Sequence, residues 1–232
     1  MLENDSLVSG SYDRTIRIWN ATSSQHIKTL SGMIGCPGSL AILQNGNLAV
    51  GNWDYFIYIW NIKSGQLIKK LTGHNWSVYC LAVLEDGSLV SGSGDKTIRI
   101  WNTISGYTIK TLTGHTGHIR SLAVLQNDLL ASGSLDKTVR IWNTKSGLLV
   151  TILTGHTDYI ECLAMLQNGL LASAGKDKKV LIWNTKSNQL VATLTGHTDS
   201  VMAFAVLHDG SLASGSLDTT IRIWDIEKYL NL

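Results

Sequence analysis

Pro37 is the only proline in a chain of 232 residues, and cysteine occurs three times and phenylalanine twice. What is scarce here already excludes several classes. No Pro/Ser-rich stretch or charge run marks a linker, so the whole length reads as one domain, as all-β chains of this size often are. Three cysteines are too few, and odd in number, for a disulfide framework. No apolar run approaches the roughly 18 residues of a membrane span. The opening Met1-Leu-Glu-Asn-Asp5 has neither a basic n-region nor an apolar h-region and does not read as a signal peptide. A formal charge of +2, with Arg17, Arg99, Arg140 and Arg222 spread along the chain, gives no electrostatic footprint for nucleic acid or an acidic membrane surface. The expectation is a soluble, cytoplasmic protein that needs no cofactor.

What is abundant is repetition. Trp19, Trp60, Trp101, Trp142, Trp183 and Trp224 stand 41 residues apart, and Asp13, Asp54, Asp95, Asp136, Asp177 and Asp218 lead them by six positions. A fixed period of roughly 40–45 residues means one supersecondary unit copied along the chain. The units run at approximately 1–31, 32–72, 73–113, 114–154, 155–195 and 196–232, in a single domain over 1–232. Cys80 and Cys162 take the place that Ser39, Ser121 and Ala203 take in other copies. Small residues at one repeated place predict packing, and hence buried free thiols.

One copy read in order gives four strands. Val78 to Leu84 is a short apolar run, Leu89 to Ser93 is rich in small residues, Thr97 to Trp101 alternates β-branched side chains, and Tyr107 to Leu112 follows a Gly-containing turn. Between the second and third strands, Gly94-Asp95-Lys96 is a tight turn in which Asp bonds its own backbone. Turn residues every five to eight positions rule out helices. A single four-stranded sheet would leave both faces wet, so neighbouring sheets must stack.

Gly73-His74, Ser91-Gly92-Ser93, Asp95 and Ile100-Trp101-Asn102 resemble the WD40 repeat of β-propellers, and the resemblance covers essentially the whole chain. It implies an all-β propeller of about six blades, each of four antiparallel strands, with an incomplete or unusually closed ring as a variant of that architecture. It also implies a structural tetrad in each complete copy: His74, Ser91, Asp95 and Trp101; His115, Ser132, Asp136 and Trp142; His156, Ser173, Asp177 and Trp183; His197, Ser214, Asp218 and Trp224. The chemistry is coherent, because an aspartate buried between sheets is costly unless hydrogen-bonded, and the indole N–H gives Trp a polar anchor. The second copy departs, with Met33 for His and Val50 for Ser, so Asp54 and Trp60 stand without two expected partners. The first copy keeps Ser9, Asp13 and Trp19 but starts after its His, and the last stops where an outer strand should begin. These ends suggest a fragment or an incomplete ring, with modified closure, partner strands or self-association through open edges as alternatives.

Recurrent Ser, His and Asp invite a hydrolase reading. Four complete copies with an architectural role speak against it, since a catalytic triad needs one site and an oxyanion hole. No His or Cys lies at ligand spacing from His26, His118 or His208, so no metal is expected. Function is sought in what varies between copies. On propellers that resemble this chain, partners sit on the channel-mouth face, at the third and fifth residues after the Gly-His histidine and at the residue before the turn Asp. Those positions give Tyr12; Cys36, Gly38 and Trp53; Ser77, Tyr79 and Gly94; His118, Arg120 and Leu135; Tyr159, Glu161 and Lys176; Ser200, Met202 and Leu217; with Trp76 adjacent. Aromatics and Arg are the types enriched at binding hot spots. The expectation is a non-catalytic scaffold for a protein or peptide. Two narrower versions are the sensor end of a larger signalling protein and a substrate receptor of a cullin-type ubiquitin ligase. No copy satisfies the whole pattern of the latter, although Trp142-Asn-Thr-Lys145 and Trp183-Asn-Thr-Lys186 approach it. An enzymatic alternative would rest on Glu161 and Lys176.

Overall fold

The computed structural model describes residues 6–229; the readings of the two chain ends rest partly on residues 1–5 and 230–232, which lie outside the described residues. The chain divides into two compact units, Met1–Thr113 and Gly114–Leu232, parted at the boundary between the third and fourth copies. Each unit holds three sheets, and every sheet is an antiparallel meander whose strand order follows the chain.

In the first unit, the first sheet has three strands, Ser6–Gly10, Ile16–Asn20 and His26–Leu30. The second has Pro37–Ile42, Leu48–Asn52, Ile57–Trp60 and Leu67–Leu71. The third has Val78–Val83, Leu89–Ser93, Ile98–Trp101 and Thr108–Leu112, within a residue of the strands expected from sequence. In the second unit, the fourth sheet comprises Ile119–Val124, Leu129–Ser134, Thr138–Asn143 and Leu149–Thr154. The fifth comprises Ile160–Met165, Leu170–Gly175, Val180–Asn184 and Gln189–Leu194. The sixth has three strands, Val201–Val206, Leu212–Ser216 and Ile221–Trp224. Among the described residues the only helical segments are the 3-10 turns Gln167–Gly169 and Glu227–Tyr229, and no helix is long and apolar enough to cross a membrane.

The second strand of each four-stranded sheet is buried on both faces, which is why it is built from small residues such as Leu89-Val-Ser-Gly-Ser93. In the first unit, Ile16, Ile18 and Leu30 of the first sheet meet Leu48, Val50 and Tyr58 of the second. Ile57, Ile59 and Leu71 in turn meet Val78, Leu89 and Trp101 of the third. The second unit repeats the scheme, with Val180, Ile182 and Leu194 packed on Val201 and Leu212. The fourth strand contributes its last leucine. Leu71, Leu112 and Leu153 are at most 3% exposed, and each covers the isoleucines or valines of the strand beside it. In the sixth sheet, which has three strands among the described residues, Ile221 and Ile223 are 75% and 58% exposed, whereas their counterparts Val180 and Ile182, covered by Leu194 and by the sheet that follows, are fully buried. Burying one such side chain is worth roughly 2 kcal/mol.

Two irregularities recur. The first strand of the second to sixth sheets carries a β-bulge, which leaves Gly38, Tyr79, Arg120, Glu161 and Met202 out of register with the second strand. The residue after each turn Asp has a positive φ: Arg14, Tyr55, Lys96, Lys137, Lys178 and Thr219 lie between 66° and 77°. That conformation costs a non-glycine residue on the order of 1–2 kcal/mol. The Asp side chain holds it, as where Asp95 Oδ1 accepts from both the Thr97 N–H at 2.9 Å and the Thr97 hydroxyl at 2.7 Å.

The three cysteines are free, with Cys80 and Cys162 buried. Burial pushes the Cys162 thiol well above the ordinary range. The place they share does more than pack: Ser39 and Ser121 there accept the backbone N–H of Leu81 and Leu163 in the next sheet.

Candidate functional site

The expected tetrads form in four sheets. In the third, His74 Nδ1 lies 2.7 Å from Asp95 Oδ2 and Nε2 lies 2.7 Å from Ser91 Oγ, which also accepts the Trp101 indole N–H at 2.7 Å. The fourth, fifth and sixth sheets repeat these three contacts within 2.6–2.8 Å. The chain of donors runs from the indole N–H to the Ser hydroxyl, on to the imidazole, and ends at the carboxylate. Burial by itself would raise the carboxyls of Asp95, Asp136 and Asp177, but the hydrogen bond from each histidine, with added N–H donors, outweighs it and holds all three below the usual carboxylate range. Asp218 is lowered too, first by its bond from Thr220 and then by the Thr198 N–H and His197. Ser91, Ser132, Ser173 and Ser214 are fully buried. No substrate reaches these hydroxyls, so the Ser, His and Asp of each repeat fasten strands together.

The second sheet solves the same problem differently. Met33 occupies the histidine's place and is buried, so one polar partner is exchanged for packing. Tyr58, standing where the third, fourth and sixth sheets have Arg99, Arg140 and Arg222, donates its hydroxyl to Asp54 Oδ2 at 2.6 Å. Burial and this carboxylate keep the Tyr58 phenol protonated far above its ordinary range. Val50 offers no acceptor, and the buried Trp60 indole N–H has no hydrogen-bond partner.

The variable positions gather at the sheet ends that carry the Asp turns. In five sheets the N–H of the residue before the turn Asp donates to the carbonyl of the third residue after the histidine's place. These bonds join Trp53 to Cys36, Gly94 to Ser77, Leu135 to His118, Lys176 to Tyr159 and Leu217 to Ser200 at 2.8–3.0 Å. The fifth residue after the histidine is the bulged one, and a bulge re-aims a side chain out of the ladder. Positions separated by about 20 residues in sequence therefore form one small surface at each sheet end.

In the first unit that surface is aromatic. Tyr12 and Trp53 meet edge to face at 5.4 Å, and Tyr55 stacks on Trp76 at 5.9 Å with 15° between planes. All four are well exposed, from 40% for Tyr55 to 76% for Tyr12, while Tyr79 is half-buried. Two glycines make the seats. A Cβ on Gly94 would lie 2.1 Å from Trp76 Cδ1, and one on Gly38 3.0 Å from Trp53 Nε1, so both indoles rest directly on backbone. Hydrogen bonds tie the neighbouring turns: the Cys36 thiol points to the Tyr12 carbonyl at 3.5 Å, and the Ser77 hydroxyl donates to the Trp53 carbonyl at 3.0 Å.

The second unit carries charge and aliphatic surface instead. Arg120 Nε donates to Glu161 Oε2 at 2.8 Å, joining the bulges of the fourth and fifth sheets, and the Glu161 side chain is only 6% exposed. Lys176 Nζ sits 5.0 Å from the Tyr159 ring centroid. Tyr159, Met202 and Leu217 are exposed, and His118 and Leu135 are half-buried. Arg120 and Glu161 therefore hold two sheets together, and of the pair only Arg120 is partly exposed. Tyr55 is the residue that sequence reasoning missed. The signal was present, because its place after the turn Asp is Arg or Lys in four other copies.

The model of the WD domain, G-beta repeat matches residues 3–20, 65–102, 106–143, 147–184 and 188–225. The chain belongs to the WD40 repeat family. Its fold is the all-β WD40 propeller fold, and its six sheets are the blades. The long gap in the match, residues 21–64, contains the first three strands of the second blade, with Met33, Val50 and Tyr58. Among solved structures, the WD40 β-propeller domain of Doa1 is similar, with a TM-score of 0.86 and 29% identity over 97% of this chain and 76% of that one. No curated protein matches the chain. WD40 propellers are generally scaffolds for protein interaction, and typically not catalysts.

Proposed function

We propose that this WD40 chain is a non-catalytic interaction module that takes a peptide or protein loop on the Asp-turn ends of its blades. One observation carries the reading. The tetrad residues repeat and are buried, whereas Tyr12, Trp53, Tyr55 and Trp76 differ from their counterparts and lie exposed at the Asp-turn ends of the first three sheets. The WD40 fold does not require these identities, and exposed aromatics gathered in contact, as in the Tyr12–Trp53 and Tyr55–Trp76 pairs, are the kind of surface that marks an interaction site.

The test is selection from a random peptide library on the intact chain. Peptides are expected to bind, and to lose at least about tenfold in affinity when Trp53 and Trp76 are replaced together by Ala. The fold should survive, since both side chains are 41–48% exposed and neither belongs to the apolar clusters between the sheets, and circular dichroism checks it. Arg120 is left intact, because removing it would strand the buried Glu161 carboxylate. Peptides that bind the double variant equally well would remove this face from consideration.

A further inference from the structure

We infer that the edge of the sixth sheet binds an extended segment of a partner protein, which adds to it as a fourth strand and carries the pattern Ile/Val-x-x-Leu. This site is separate from the aromatic face and does not depend on it. Ile221 stands where the other five sheets have Ile16, Ile57, Ile98, Val139 and Val180. Those five are at most 1% exposed, and Ile221 is 75% exposed. In each of the five, the residue directly across on the last strand is a leucine: Leu30, Leu71, Leu112, Leu153 or Leu194. Among the described residues no strand pairs with the outer side of Ile221–Trp224. Such an edge presents a row of backbone donors and acceptors, the template on which a further strand is added.

The five last strands show what fits there. Three residues before the leucine stands Ile27, Ile68, Ile109, Val150 or Val191, always β-branched, a residue type that favours extended backbone. The leucine is buried in all five, the residue before it is exposed, and the one before that is half-buried, the alternation of a pleated strand. The leucine is the anchor: Leu194 joins Val180 and Ile182 in one apolar cluster. A guest leucine in the same register covers Ile221 in the same way.

The path of the chain after Trp224 leaves the edge open. In the sibling sheets a tight turn returns the chain as the last strand, and the fifth residue after the Trp is left-handed. Ser24, Gly65, Gly106, Gly147 and Asn188 have φ between 57° and 87°. The N–H groups of Gly65, Gly106 and Gly147 donate to the carbonyls of Asn61, Asn102 and Asn143 at 2.8 Å, closing that turn. The sixth sheet has Tyr229 at this place, within a 3-10 turn, and its N–H donates instead to the Ile226 carbonyl at 2.9 Å. Ile226 is 3% exposed and packs with Trp224, Leu212 and Tyr229. Residues 225–229 are thereby drawn into the core, and the turn that would lead them back along Ile221–Trp224 is not made.

The experiment adds an acetylated peptide with the sequence of Tyr107–Thr113, one of the chain's own last strands, to the intact protein. Anisotropy of the labelled peptide reads binding, and amide hydrogen exchange reads its place. A scrambled peptide, and one with aspartate for the leucine, serve as comparison ligands. The peptide is expected to slow exchange in Ile221–Trp224 at least about tenfold. Both comparison peptides should bind at least about tenfold more weakly, the effect expected of losing one buried leucine. Ile221→Glu, at an exposed place, should weaken binding to a similar degree with an unchanged circular dichroism spectrum. Replacing Trp53 and Trp76 by Ala should leave it unaltered, which separates this edge from the aromatic face. The inference is overturned if the peptide and its scrambled form bind alike, if protection falls only on Ser6–Gly10 of the first sheet, or if no peptide binds. Light scattering of the chain alone supplies a further check. Association that rises with concentration and is lost in Ile221→Glu would make the occupant a second copy and overturn the assignment to a partner protein.

Discussion

The second and fourth blades share one 41-residue register, yet they satisfy the same aspartate by different means. In the fourth, Asp136 is held by His115, and Ser132 joins that histidine to Trp142. In the second, Tyr58 reaches Asp54 directly, Met33 fills the imidazole's volume, and Trp60 leaves its N–H unbonded. The difference teaches that the fold requires a bonded aspartate, which fixes the left-handed turn, more than it requires the full tetrad. The unpaired Trp60 donor sits in an apolar cluster with Ile16, Ile18, Met33 and Tyr58, so burial of the ring offsets the cost of the missing bond.

The comparison can be broken in three ways. Acid should have the largest effect, because it acts on four blades together. The carboxyls of Asp95, Asp136, Asp177 and Asp218 are lowered by folding, so the stability they confer is complete above the unfolded carboxyl range near pH 4 and is lost as pH falls below it. Melting temperature should be flat from about pH 7 to 5 and fall steeply below about pH 4, with a shallower fall in Asp136→Asn. A melting temperature unchanged between pH 5 and 3 would contradict the tetrad account.

Next in size is Ser132→Val, which brings the second blade's residue into the fourth. It strands both the Trp142 indole and His115 Nε2 in a fully buried place, and should cost about 3 kcal/mol in denaturant unfolding. A cost below about 1 kcal/mol would mean that Val50 is no compromise. The smallest effect is expected from Tyr58→Phe, which removes only the hydroxyl that serves Asp54 and should cost about 1–2 kcal/mol. If this variant is as stable as the parent, Tyr58 is no substitute for the missing histidine.

Much of this was legible because a repeat sequence samples one fold six times. The Asp and Trp columns, the four strands, and the four complete tetrads follow from residues recurring at fixed offsets. The face was legible only in part. Trp53, Trp76, Tyr79 and Arg120 were readable as variable positions, but not that Gly38 and Gly94 are seats for indoles, nor that Arg120 is committed to a buried glutamate. Tyr55 was passed over because the residue after the Asp looked like an ordinary turn position. The role of Tyr58 was hidden because a tyrosine in a strand is commonplace, and only its reach to Asp54 distinguishes it.

The sequence by itself determined the period, the strand order, and which residues each complete blade spends on its own fastening. Those are properties of local pattern and of contacts that recur in every copy, so repetition exposes them. Only the tertiary structure decided how the second blade replaces its histidine, which side chains the bulges turn outward, and why one unit's face is aromatic and the other's charged. These depend on side chains from different turns meeting in space across neighbouring sheets, and a 41-residue register records where each side chain stands without recording what it meets.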